Sequence, residues 1–570
     1  MRLIKFAPAL LSTLTIAAGL AFFAGSASAE NIIVTRSDDP AQDGCDVNGC
    51  SFREAVTLGN TTAGVQVIEV GDREVDLTST VNITGDMTVL GLNTDDSALR
   101  AMGDDIQIFN VSASGNVTFE KVWIYGASAS GPGQCGGAIY NAGTLSTKGS
   151  RIAKNFIDGR GAGVCNLGTA TLNNTTMSAN NSGDFTGGAI YNSGTMTVAD
   201  STITQNDAIE GGGIFNADGG TLTITHSTIS DNTADSGCDD CDSGGGLATE
   251  GDLTVEYSTF TLNTADNGAG LVSRGDTTIR RSTFSGNSGG AINNSDGTMT
   301  LVRSTISNNT GTLGSTAGVA GISNNSTLSI INSTIADNPA SGFAYGGLFT
   351  STTASSSYKA TIFSNNGTNC HTGGNQTSQG YNVFSPMTNN CKTTGTGDTE
   401  TDNARIMALA DNGGPTQTRQ LMADSPAINR GGCVAGPDQR GALISDGQCD
   451  AGAVELSGTP PTASPQPTGT PPPAGYPMGD ASCNDSVGQE DIIPALELAA
   501  KLAEADDCGR DQLGCFNYEG ECYPPWVDPN CDDKMTAVDV VLVAAHVAGA
   551  PIEAGCVPVG EYIGFACTSC

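Results

Sequence analysis

Apolar residues in this chain come in short bursts rather than long runs. Between positions 136 and 351 one phrase keeps returning: two glycines or Gly-Ala, an aliphatic residue, then often asparagine. It reads GGAIYN at 136–141 and 187–192, GGGIFN at 211–216 and GGAINN at 289–294. Looser copies are GAGVCN at 161–166, GGGLAT at 244–249, GAGLVS at 268–273, AGISNN at 320–325 and GGLFTS at 346–351. The aliphatic positions Ile139, Val164, Ile190, Ile214, Leu247, Leu271, Ile292, Ile322 and Leu348 step by 25, 26, 24, 33, 24, 21, 30 and 26 residues. A second phrase follows the form Ser-Thr-Ile/Phe-Ser/Thr-x-Asn, as in STITQN at 201–206 and STISDN at 227–232. A third, such as GTMTV at 194–198, falls between those two.

Three short β-prone phrases per repeat, at a period in the twenties, predict a chain wound coil upon coil. Each phrase is too short for a helix and carries its aliphatics at strand spacing. One coil cannot close a core, but stacked coils bury a continuous apolar column. The predicted fold is therefore mainly β, a right-handed parallel β-helix. Gly and Asn at the coil corners are expected to take up positive φ, and Thr and Ser to face water. The first coils are read in VQVIEV at 65–70, TVNIT at 80–84, MTVLGL at 87–92, IQIFNV at 106–111 and VTFEKVWI at 117–124.

The flanks divide the chain further. Residues 1–29 have the pattern of a signal peptide: Arg2 and Lys5, an apolar run from Leu10 to Phe23, then Ala27-Ser28-Ala29. Residues 30–64 read as a cap, with Ser51 and Glu54 forming a capping box that opens a short helix to about Leu58. Arg53 and Glu54 are read as capping rather than catalytic residues. The solenoid is expected over 65–456, and a spacer over 457–478, where eight of 22 residues are proline. A small module fills 479–570.

Net charge is −36, which argues against nucleic acid as a partner. No apolar run after the signal reaches the ~20 residues that cross a bilayer as a helix. All 18 cysteines follow the signal, as in an oxidising compartment. Cys45/Cys50, Cys370/Cys391 and Cys433/Cys449 look like local pairs, and Cys135/Cys165 are spaced to staple neighbouring coils. Cys238 and Cys241 read as a disulfide-bearing loop rather than a metal site. These features predict a secreted, cell-surface-associated protein.

The module after the spacer carries chemistry. Two loops share one spacing, Asp480, Ser482, Asn484, Ser486, Gly488, Asp491 and Asp528, Asn530, Asp532, Lys534, Thr536, Asp539. Oxygen side chains at loop positions 1, 3, 5 and 12, with a backbone carbonyl at 7, form the EF-hand calcium pattern. Two Ca2+ ions are expected.

Family resemblances attach to these motifs. CSFREAV at 50–56 resembles the Cys-Ser-Leu-Arg-Glu-Ala signature that begins many secreted bacterial β-helix proteins, with Phe52 in place of Leu. The repeats resemble those of polymorphic outer-membrane proteins. LADNGGPTQT at 409–418, SPAINRGGC at 425–433, DQRGA at 438–442 and CDAGAVE at 449–455 resemble the anchor-type segment that closes such β-helices. There Asp438, Arg440 and Asp450 are read as structural. The paired calcium loops resemble a dockerin, which implies a cohesin-like domain or envelope scaffold as partner. The sequence departs from that family at position 6 (Asp485, Asp533) and at its recognition pair (Gln489-Glu490, Ala537-Val538).

Two functions stand against each other. One is a non-catalytic, adhesin-like β-helix, possessing an extracellular glycan as a candidate ligand and docked through the calcium module. The other is a polysaccharide hydrolase or lyase carried on the same plug. The enzyme needs paired carboxylates and a basic residue on one rim. The cations around the repeats, Lys148, Lys154, Arg160, Arg274, Arg280, Arg281 and Arg303, recur beside no acidic pair in the sequence. The first reading is therefore favoured, with no catalytic residue assigned.

Overall fold

The computed structural model describes residues 31–456 apart from short gaps at 40–43, 46–48, 236–243, 312–317, 340–344, 388–389, 431, 433–435 and 445, together with the strand pair Asn517–Tyr518 and Glu521–Cys522. The chain divides into two units, Met1–Pro467 and Thr468–Cys570. In the second, the described residues form one two-stranded antiparallel pair.

The first unit is a parallel β-helix. Each coil contributes one strand to each of three parallel sheets. The first sheet has 12 strands, from Val81–Ile83 to Cys370–Thr372, and carries the glycine phrase. The second has 14, from Asn31–Ile33 to Asn375–Ser378, and the third has 14, from Arg73–Leu77 to Thr399–Glu400. Register is strict: Ile139 pairs with Val164, Val164 with Ile190, and Ile190 with Ile214. All nine predicted aliphatics are buried, each burial stabilising by ~1.5–3 kcal/mol. Aromatic rings continue the stacking, with Phe260 and Phe284 parallel at 4.6 Å between centroids.

The phrase Ser-Thr-Ile-Ser-x-Asn resolves position by position. In STISDN, Ile229 is core and Thr228 half-exposed. Ser227 is buried, its Oγ accepting from Ser201 N at 3.1 Å, one rung of a serine ladder. Asp231 makes the left-handed corner at φ 54. Asn232 is fully buried, and its amide donates to Asn263 Oδ1 at 3.0 Å. The same bond joins Asn155 to Asn180, Asn180 to Asn206 and Asn206 to Asn232, and a second ladder joins Asn141, Asn166, Asn192 and Asn216. The expected positive φ at these asparagines is therefore corrected. The ladder asparagine lies inside, where an amide that both donates and accepts suits a repeat of identical neighbours. In the first ladder the residue before it takes the left-handed corner, as at Lys154, Ala179, Gln205 and Asp231. The first glycine of the phrase takes positive φ in most copies, as at Gly187 (74°) and Gly211 (63°), though not at Gly346.

The N-terminal end is closed by a helix, α1, Phe52–Thr61, three residues longer than predicted. Its capping box forms: Glu54 N donates to Ser51 Oγ at 3.3 Å, and Ser51 N to Glu54 Oε2 at 2.8 Å. Phe52 is fully buried and meets Phe109 edge-on at 6.0 Å. Arg53 pairs with Asp39 at 2.6 Å and donates to Thr80 O at 2.8 Å. At the other end the chain turns back as a strap along the third sheet. It includes the antiparallel strands Ile406–Ala410 and Thr418–Leu421.

Candidate functional site

The outer face of the third sheet gathers the chemistry. In each of its strands the middle residue points into the core: Ile124, Ile152, Met177, Ile203, Ile229 and Phe260 are fully buried. Alternation therefore sends the residues on either side outward. Two outward ranks result, each advancing by one coil, about 4.8 Å. One runs Glu74, Ala98, Trp123, Arg151, Thr176, Thr202, Thr228, Thr259. The other runs Asp76, Arg100, Tyr125, Ala153, Ser178, Thr204, Ser230, Thr261.

At the N-terminal end of this face Arg100 binds both carboxylates, Glu74 at 2.6 Å and Asp76 at 2.7 Å. The Tyr125 hydroxyl donates to Glu74 Oε1 at 2.6 Å. Burial, with that carboxylate beside it, pushes the Tyr125 phenol up to about 12, so it is a proton donor at neutral pH. Trp123 and Tyr125 stack at 4.0 Å, and the Arg151 guanidinium lies over the indole at 4.9 Å. The indole Nε1 is buried with no hydrogen-bond partner. A donor left so is costly.

Further along, the first rank is a row of half-exposed threonines, Thr176, Thr202, Thr228 and Thr259, whereas Ser178, Thr204 and Ser230 of the second are buried, and corner side chains flank the row on both sides. Asp200, His226 and Tyr257 stand at left-handed corners before the strands, at φ 49, 48 and 49. Gln205, Asp231 and Leu262 stand at corners after them, at φ 55, 54 and 57. His226 stacks on Tyr257 at 5.0 Å, and Arg281 caps the stack at 5.3 Å from the Tyr257 ring.

The calcium-loop residues Asp480, Ser482, Asn484, Ser486, Gly488, Asp491, Asp528, Asn530, Asp532, Lys534, Thr536 and Asp539 lie outside the described residues, as do the signal peptide, the spacer, Cys238 and Cys241. Cys45–Cys50, Cys135–Cys165 and Cys370–Cys391 are disulfides. Cys449 is disulfide-bonded, while its predicted partner Cys433 lies outside the described residues. Among the cations singled out from the sequence, Arg160 covers the Tyr191 ring at 5.1 Å, Arg274 pairs with Glu210 at 2.5 Å and Arg281 with Glu256 at 2.5 Å. Arg303 is buried and donates to the carbonyls of Gly436 and Pro437 on the strap. Asp438 and Arg440 pair inside the strap at 2.7 Å. No helix among the described residues is long and apolar enough to cross a membrane.

Glu74, Asp76, Arg100, Trp123 and Tyr125 escaped sequence reasoning. The alternation in REVDL at 73–77 was the available signal, since it sets Glu74 and Asp76 on one face. Arg100 reaches them only because the next coil lies alongside.

No protein-family description matches the chain, and no curated protein does. Four solved chains match. One is a pectate lyase, Pel9A, 14% identical over 75% of this chain and 97% of that one, with a TM-score of 0.32. Another is the catalytic unit of a thermostable GH87 α-1,3-glucanase from Streptomyces thermodiastaticus, 10% identical over 62% of this chain and 69% of that one, with a TM-score of 0.28. Likenesses this distant bear on neither substrate nor reaction.

Proposed function

We propose that this is an exported β-helical protein that binds an extracellular glycan without cleaving it, and that its C-terminal calcium loops tether it to a cohesin-like or envelope scaffold. The observation that carries the reading is the third-sheet face, where the half-buried Trp123–Tyr125 stack stands at the end of the half-exposed threonine row Thr176, Thr202, Thr228 and Thr259. Apolar ring faces beside fixed polar groups are what a saccharide requires. Both carboxylates at the site are tied to Arg100, which suits hydroxyl-accepting anchors better than a free acid and base. The test is retention of the full chain on immobilised glycans, with reducing ends and unsaturated uronates assayed in parallel. Binding without products supports the reading; product formation, or no retention on any glycan, opposes it.

A hydrolase or lyase is the second reading, favoured by one observation. Glu74 and Asp76 sit two residues apart on one face of one strand and both reach the Arg100 guanidinium, so two carboxyl groups lie close together, as the mechanism of a glycosidase requires. Product formation that disappears in both Glu74→Gln and Asp76→Asn would establish it.

A further inference from the structure

The strap already shows what the hydroxyl rank of the third sheet holds. Thr283 donates to Gln417 O at 2.6 Å. The Gln439 amide spans two successive rungs: its Nε2 donates to Thr283 Oγ1 at 2.8 Å, and its Oε1 accepts from Thr305 at 2.7 Å. One coil on, Ala453 N donates to Thr334 Oγ1 at 3.1 Å. In the neighbouring rank Arg419 donates to Ser307 Oγ at 2.9 Å. Polar groups spaced along the axis thus meet the rank coil by coil.

The same rank continues uncovered. Thr176, Thr202, Thr228 and Thr259 are half-exposed, and among the described residues none of the four makes a side-chain hydrogen bond. They are β-branched and stiff at χ1, so little rotamer entropy is lost when a ligand engages them. The His226–Tyr257 stack offers ring faces at one edge, and Gln205 and Asp231 offer polar groups at the other. From Thr176 to Thr259 neither rank nor its corner residues include Lys or Arg, while Asp200 and Asp231 are acidic.

Resting on the glycan-binding reading, we infer that this trough takes a neutral, unbranched, extended glycan of the β-1,4-linked kind, lying along the β-helix axis with about one sugar per coil. The coil repeat of about 4.8 Å is close to the axial rise of such a chain. The acidic corners disfavour a polyuronate. Trp123 and the strap mark the two ends.

The experiment is calorimetric titration of the full chain with cellohexaose, xylohexaose, mannohexaose and hexagalacturonate, alongside the corresponding disaccharides. At least one neutral hexasaccharide is expected to bind, more tightly than its disaccharide, and hexagalacturonate not to bind. Thr202→Val/Thr228→Val keeps shape and strand preference but deletes two hydroxyls. It should weaken binding by about tenfold or more with thermal unfolding unchanged. Thr197→Val/Thr223→Val, on the second sheet, should leave affinity unchanged. Neutral-glycan binding untouched by Thr202→Val/Thr228→Val would overturn the trough and leave the glycan-binding reading standing. Tighter binding of hexagalacturonate would overturn the neutral assignment. No saccharide binding at all would remove both.

Discussion

Asp438 and Arg440, two residues apart on the strap, hold each other almost out of water: their side chains are 2% and 4% exposed, and Arg440 donates through Nε at 3.0 Å and through a terminal nitrogen at 2.7 Å. The carboxylate also accepts from the backbone N–H groups of Arg440, Ala442 and Glu455 at 2.9, 2.9 and 3.0 Å. Arg440→Met leaves those three donors in place, whereas Asp438→Ala strands them together with the guanidinium. Breaking a buried pair costs about 3–5 kcal/mol. Asp438→Ala is expected to destabilise the strap more than Arg440→Met, as read by denaturant unfolding and by proteolysis within 404–456.

Strap stability should fall with rising pH. Burial, against Asp450, pushes Glu455 up to about 7. The raised value favours the protonated acid in the folded strap. Its contribution is full below the ordinary carboxylate pKa near 4.5 and is lost as pH rises through about 7, amounting to roughly 3 kcal/mol at most. Burial also raises Asp450, which works in the same direction, while Arg303 and Asp438 face the group with opposite charges. At the opposite end Asp39 is held low: burial alone would raise it, but the Arg53 and Thr78 hydrogen bonds win, so its contribution is lost only in acid. Proteolysis of the strap should therefore be faster at pH 8 than at pH 5.5. Glu455→Gln should flatten the difference.

The asparagine ladder makes a separate prediction. Asn232 donates to Asn263 Oδ1 and Ile203 O, both at 3.0 Å, and accepts from Asn206 N at 3.1 Å and from Asn206 Nδ2 at 2.9 Å. Asn232→Ala leaves buried groups unpaired on both sides, at about 1–3 kcal/mol for each. Asn232→Asp turns a carboxylate oxygen toward Asn263 Oδ1 and buries a charge. It should lower the melting temperature further than Asn232→Ala, and the reverse order would count against the ladder.

In the sequence, the nine aliphatics gave the coil repeat because each coil must place one of them in the column. The roles of the asparagines were harder to read. A buried ladder and a left-handed corner both favour Asn, and only the neighbouring coil distinguishes Asn232 from Asp231. The site was hidden for a related reason. Glu74, Arg100 and Tyr125 are far apart in sequence and meet only through register. The strap was legible as a closing segment, but the hydroxyls it covers were not.

The calcium module is expected to bind two ions unequally. Loop two offers three ligand carboxylates, Asp528, Asp532 and Asp539, and loop one offers two, Asp480 and Asp491. Carboxylate count tunes affinity in such loops. Calorimetry on the full chain should resolve two sites, and Asp528→Ala/Asp539→Ala should abolish the tighter one. A tighter site that survives would contradict the assignment.

The chain has two tryptophans, Trp123 and Trp526, so Trp526→Phe leaves a single reporter inside the third-sheet site. Fluorescence titration of this variant with cellohexaose, xylohexaose and mannohexaose tests the glycan-binding face directly. A saturable change in Trp123 emission is expected with at least one of them, at the affinity found by calorimetry. Glycan binding that leaves Trp123 emission unchanged, or no binding of any of the three, would contradict it.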